Sequence, residues 1–150
     1  MDKSTDNSSL CNAWRIQEDA AQLGFDWPDI QGVLDKIEEE LGEIREALAA
    51  GDVAHARIEL GDLLLASVNA ARFLSVKPAC ALDDAAARFQ DRFQLVKKHV
   101  EASDRSWENY SLEELETLWQ RLKKVADKER DKRVDKGGVN QANCTLPIRE

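Results

Sequence analysis

Long hydrophobic runs are missing from this chain of 150 residues, so no segment of it is expected to cross a membrane. Regular alternation of apolar and polar residues is missing too, which removes β-strands from the expected fold. Proline occurs only three times, and Pro28 and Pro78 fall where helices are expected to start. Cys11, Cys80 and Cys144 are odd in number, widely separated and without metal-ligand spacing, so no disulfide framework is expected. Together with the polar opening MDKSTDNSS, which lacks the apolar stretch of a signal peptide, this makes a reducing cytoplasm the expected compartment. Positive charge is in deficit: 21 Lys and Arg face 29 Asp and Glu, for a net charge of −8. That balance argues against a general nucleic-acid binder. The two histidines, His55 and His99, lie in no Glu-x-x-His pair and read as surface residues, which disfavours a redox di-iron bundle.

What remains is helical periodicity. One domain is expected over residues 10–127, with a disordered N-terminus at 1–9 and a charged, polar and disordered tail at 128–150. A first helix runs from Leu10 to Leu23 and stops at Gly24. A second follows Pro28 with an apolar stripe of Ile30, Val33, Leu34, Ile37, Leu41, Ile44 and Leu48. Asp52 caps a third, Val53 to Leu74, whose core stripe reads Leu60, Leu64, Val68 and Ala71. Nearly opposite that stripe lie Glu59, Asp62, Ala66, Asn69 and Phe73. A fourth helix carries Leu82, Phe89, Phe93, Val96 and Val100, and a fifth opens on the capping box Ser111-Leu112-Glu113-Glu114. The expected architecture is an all-α helical bundle.

Four acids stand out: Glu40 and Glu43 on the second helix, then Glu59 and Asp62 on the third. Each pair is spaced i,i+3, so both carboxylates share a side, and the short turn between the helices can bring the pairs together. Such a cluster repels itself unless cations sit within it, and hard cations such as Mg²⁺ or Mn²⁺ suit an all-oxygen site. The bland alternatives are a solvated glutamate face and a buried ion pair with Arg57 or Arg72. With Ile37 at the stripe's centre, Glu40 falls about 60° away, at the edge of the apolar face. Gly61, between Glu59 and Asp62, offers room for a neighbouring backbone.

Glu39-Glu40-Leu41-Gly42-Glu43, a spacer and Glu59-Leu60-Gly61-Asp62 resemble the signature of the MazG-like all-α nucleoside triphosphate pyrophosphohydrolases. Further stretches agree in order: Gly24-Phe25-Asp26-Trp27-Pro28, Val68-Asn69-Ala70-Ala71-Arg72, Arg88-Phe89-Gln90-Asp91-Arg92-Phe93, and Leu115 through Lys123 around Trp119. The resemblance covers roughly Leu23 to Lys123. It implies a helical bundle that usually dimerises, here a homodimer, and hydrolysis of a nucleoside triphosphate to monophosphate and pyrophosphate with Mg²⁺. It implies metal ligands at Glu40, Glu43, Glu59 and Asp62, and a water-orienting or proton-accepting Glu39. Lys36, Arg88, Arg92, Trp119 and Lys123 match positions associated with substrate.

Several of those residues keep a second reading. Arg88 and Arg92 also suit a solvated helix face, and Trp119 and Trp27 suit a core. Asn69 lies on the acidic stripe and suits either a hydrogen bond to ligand or helix packing. Ala86 and Gln90 depart from the family's common asparagine and glutamate. That departure motivates the rival reading of a nucleotide- or metal-binding helical dimer acting as a sensor or partner-binding module.

Overall fold

The computed structural model describes residues 9–134 and Cys144, and its described residues form five α-helices and one short 3₁₀ turn. Two compact units separate at Leu82, within the fourth helix. The first holds residues up to Ala81 together with Cys144; the second holds residues from Leu82.

The first unit contains α1 (Ser9–Gln22), α2 (Ile30–Ala49), α3 (Val53–Phe73) and the opening turn of α4 (Pro78–Glu101). Its boundaries follow local chemistry. Gly24, at φ +89°, takes the left-handed conformation that closes α1. The Asp29 carboxylate accepts from the Gln31 amide at 2.8 Å and starts α2. Asp52 does the same for α3, accepting from the His55 amide at 2.9 Å. A connection of three residues turns α3 back along α2, and this pair forms the main packing of the unit, with α1 laid against α3.

Periodicity placed the helices correctly and rolled two of them wrongly. On α2 the buried positions are Val33, Glu40 and Ala47, while Leu34, Leu41 and Leu48 of the expected core stripe are exposed. On α3 the buried positions include Ala56, Glu59 and Ala66, and Leu60 and Leu64 face outward; of the expected stripe Val68 is buried. The acid-bearing faces of the two helices therefore meet each other, and the leucine faces are left outside. Gly61 also differs from expectation, since a Cβ there would meet nothing within 4 Å.

In the second unit the rest of α4, the 3₁₀ turn Trp107–Asn109 and α5 (Leu112–Val134) enclose Val96, Val100 and Leu118. Tyr110, Leu115, Trp119 and Leu122 pack around that cluster. Full burial of each such aliphatic side chain stabilises by roughly 1.5–3 kcal/mol. The capping box forms as read: Ser111 N–H donates to Glu114 Oε2 at 2.8 Å, and Glu114 N–H donates to Ser111 Oγ at 3.1 Å. α5 runs to Val134, seven residues past the expected end at 127. Arg130 reaches Asp84 and Asp91 on α4, each at 3.9 Å, so charge in this stretch supports helix where it was read as tail. Apart from Ser9, residues 128–134 and Cys144, the residues of the expected termini lie outside those described.

The absence of a disulfide framework is also corrected. Cys80 and Cys144 are bonded, their Cα atoms 5.6 Å apart and 64 positions apart in sequence. Lys77 N–H donates to the Cys144 carbonyl at 3.0 Å beside the bond. Cys11 is not in a disulfide. Among the described residues, no helix is long and apolar enough to cross a membrane.

Candidate metal centre and its cavity

Glu40 is 2% exposed, the largest of the most buried side chains among the described residues. A carboxylate there is costly without partners. One oxygen, Oε1, pairs with the Lys36 ammonium one turn earlier, which also bonds Glu39 Oε1 at 2.9 Å. Lys36 holds the Glu40 carboxyl below the usual carboxylate range, against the opposing effect of burial. In return Glu40 and Glu39 hold the Lys36 ammonium more firmly protonated than usual. The other Glu40 oxygen, Oε2, is buried with no hydrogen-bond partner.

Two groups of carboxylates converge on Glu40. Oxygens of Glu40, Glu59 and Asp62 lie within 4.8 Å of one another, and so do oxygens of Glu39, Glu40 and Glu43. Glu40 belongs to both sets because α2 presents it to α3, where Glu59 is buried and Asp62 is open. Burial pushes the Glu59 carboxyl above its ordinary range, and the carboxylates of Glu40 and Glu43 add to the effect. His55, read as a plain surface residue, stands 3.1 Å from Glu59 through Nε2, one helical turn away. The donor set is all oxygen apart from this imidazole, and a buried oxygen at its centre lacks a proton donor. These residues fit a hard divalent cation.

A cavity of about 670 Å³ opens beside this cluster. Glu40, Asp62 and Lys36 line one end; Phe25, Asp26, Trp27 and Arg72 line another part, with Gln17, Val33, Leu65 and Asn69 also on its walls. Arg72, whose side chain is 7% exposed, reaches Asp26 by two hydrogen bonds and lies 3.6 Å from Glu18 Oε2. Its Nε donates to Asn69 Oδ1 at 3.0 Å, so Asn69 meets the cavity and a buried arginine at once.

Of the residues singled out from sequence, Lys36, Glu39, Glu40, Glu43, Glu59, Asp62 and Asn69 come together in the first unit. Arg88, Arg92, Trp119 and Lys123 belong to the second unit. There Arg88 is exposed, and Arg92 pairs with Asp127 at 2.9 Å. Trp119 packs on Phe89, with ring centroids 5.1 Å apart, and on the apolar cluster. Asp26, Arg72 and Gln17 were not read as site residues. Asp26 and Arg72 lie within the quoted family stretches, and Arg72 was also named as a partner for a buried ion pair.

Residues 29–101 match the family model described as the MazG nucleotide pyrophosphohydrolase domain. Over 115 residues the chain is 43% identical to the nucleoside triphosphate pyrophosphohydrolase/pyrophosphatase MazG of Thermotoga maritima, which covers 77% of this chain and 44% of that protein. It is 37% identical over 118 residues to the nucleoside triphosphate pyrophosphohydrolase of Escherichia coli K12, covering 77% of this chain and 45% of that one. The chain therefore spans under half the length of these two relatives.

Proposed function

Since this chain belongs, through residues 29–101, to the MazG nucleotide pyrophosphohydrolase family, we propose that it hydrolyses nucleoside triphosphates to the monophosphate and pyrophosphate in the service of nucleotide-pool housekeeping. The observation that carries this is Glu40: a buried carboxylate with one orphan oxygen, at the junction of two carboxylate groups beside a cavity.

Glu40, Glu43, Glu59 and Asp62 would hold Mg²⁺, with Mn²⁺ an acceptable substitute. Such a cation, when bound, neutralises phosphate charge and makes water more acidic. The residues of the chain supply the rest. Glu39, exposed and hydrogen-bonded to Lys36, accepts the proton of the attacking water. Lys36, at the cavity wall, places positive charge against the phosphate tail. Water oxygen bonds to the α-phosphorus, the bond from that phosphorus to the bridging oxygen breaks, and pyrophosphate departs. Asn69 is the proposed polar contact on the opposite wall. Substrate roles for Arg88, Arg92, Trp119 and Lys123 rest on family resemblance alone.

A homodimer is part of the proposal. Leu34, Leu41 and Leu48 on α2 and Leu60 and Leu64 on α3 form exposed apolar stripes that a second copy would cover. Sedimentation equilibrium tests this. A cytoplasmic location is retained, where the Cys80–Cys144 pair is expected to exchange between thiol and disulfide.

The deciding experiment is product analysis with a panel of ribo- and deoxyribonucleoside triphosphates, with Mg²⁺ and with chelator. Metal-dependent monophosphate and pyrophosphate are the expected products. Diphosphate and phosphate would refute attack at the α-phosphorus. Nucleotide binding without turnover would turn the assignment to the sensor reading.

A further inference from the structure

Gly32 sits inside α2, where glycine weakens a helix by about 1 kcal/mol relative to alanine. The structure supplies the reason for it. A Cβ at position 32 would lie 2.5 Å from Trp27 Cε3, 3.1 Å from Cζ3 and 3.2 Å from Cδ2. The indole therefore rests against bare helix backbone, closer than any side chain would permit. Trp27 also lines the cavity, remains 43% exposed, and carries no other aromatic ring against it among the described residues.

The segment that delivers this ring is fastened on both sides. Gly24 turns the chain out of α1, and Pro28 leads it into α2. Between them Asp26 accepts the Trp27 amide at 2.8 Å, and its carboxylate is gripped by the buried Arg72. Arg72 is thus committed to Asp26, Glu18 and Asn69, and its geometry is that of a structural clamp.

Position along α2 gives the ring its meaning. Gly32, Lys36 and Glu40 succeed one another at i, i+4 and i+8, along one ridge of the helix. Trp27 on Gly32, then Lys36, then Glu40 line the cavity in that order, over about 12 Å at 1.5 Å per residue. The opposite wall, on α3, runs from Asp62 through Ala66 and Asn69 to Arg72. One end of the cavity is built for cations and phosphate, and the other offers a flat π-face.

We propose that Trp27 is the platform on which the base of the nucleotide stacks, and that Gly32 and the Asp26–Arg72 pair are positioning residues for it. This deepens the nucleotide reading above and rests on it. Stacking uses the ring face that every base possesses, so the platform contributes affinity to purines and pyrimidines alike.

The test compares the wild type with Trp27→Ala, Trp27→Phe and Gly32→Ala in steady-state kinetics on four nucleoside triphosphates. It adds titration of the intrinsic tryptophan fluorescence with nucleoside 5′-monophosphates. Trp27→Ala is expected to raise KM for all four by a comparable factor, about 5- to 150-fold for the loss of one base–aromatic stack. The larger share of the loss falls in KM rather than kcat. Trp27→Phe recovers most of it. Gly32→Ala, which favours the helix by propensity, raises KM by displacing the ring while thermal melting stays intact. Monophosphate quenches the wild-type fluorescence, and that quench disappears in Trp27→Ala. Unchanged KM in folded Trp27→Ala and Gly32→Ala, or a quench that survives Trp27→Ala, overturns the platform while leaving the hydrolase reading standing. Were the wild type to lack turnover, the quench titration alone would decide the platform, present for it and absent against it.

Discussion

The two units of this chain differ in what they bury beside their apolar residues. Every buried acidic residue among those described, Glu18, Glu40 and Glu59, lies in the first unit. Among the described residues, those buried in the second unit are Val96, Val100, Leu118 and Ala126, all apolar. A buried carboxylate weakens a fold unless it is compensated, whereas buried aliphatics hold one together. The first unit thus keeps, at the cost of stability, a cluster that repels itself in the absence of cations. That is the pattern of a site, and the second unit has the pattern of a support.

The sharpest way to break this contrast is at Glu40. Glu40→Gln keeps the shape and removes the charge. Turnover is expected to fall about a thousandfold, the several kcal/mol that a bound Lewis acid supplies. The metal-free protein should also melt lower, because Lys36 favours the charged carboxylate in the fold and the variant lacks that charge. Lower thermal stability combined with undiminished turnover would recast Glu40 as a structural ion-pair member held by Lys36.

In the second unit the equivalent change acts on stability. Leu118→Ala removes a nearly fully buried side chain and is expected to destabilise by about 2–5 kcal/mol in urea unfolding. An effect well under 1 kcal/mol would show that the apolar cluster is not the support described. Reduction of Cys80–Cys144 comes next, with an expected loss of about 2–4 kcal/mol, read as a lower melting temperature with dithiothreitol in the wild type. Cys80→Ser should already melt lower and show no further drop on reduction; a full drop there would assign the effect to another cysteine.

The smallest effect belongs to the start of α5. Arg105 and the Ser111 amide hold the Glu114 carboxyl down to about 2, from an ordinary value of 4.5. That stabilisation is complete above about pH 4.5 and is lost as pH falls through 2. Glu114→Gln should lower stability modestly at neutral pH and flatten the acid limb in that window, its curve meeting the wild type's as pH falls through 2. A limb as steep as in the wild type would place the acid sensitivity elsewhere.

The helix starts and the end of α1 were legible because their signals are local, whereas the end of α5 was not. Asp29, Asp52 and Ser111 cap from within one turn, and Gly24 closes α1 by its own conformation. The acidic cluster was legible for the same reason, since i,i+3 spacing fixes a shared side. How α2 and α3 roll was not legible. Both carry apolar residues on more than one side, so periodicity alone does not choose which stripe faces the neighbour. The choice fell to the small residues Ala47, Ala56 and Ala66, which permit close approach with Glu40 and Glu59 between the helices. Trp27 on Gly32 was hidden differently, because a loop ring reaching back onto the following helix leaves no periodic trace. The Cys80–Cys144 bond spans 64 positions and has no local signature at all.

That bond has a topological consequence. The second unit is the stretch between two cysteines that are covalently joined to each other. A protease that cuts once anywhere between them severs the backbone without dividing the molecule. On a denaturing gel the nicked chain would migrate as one species until a reductant parted it into two, so intact mass and intact chain are separate properties of this protein.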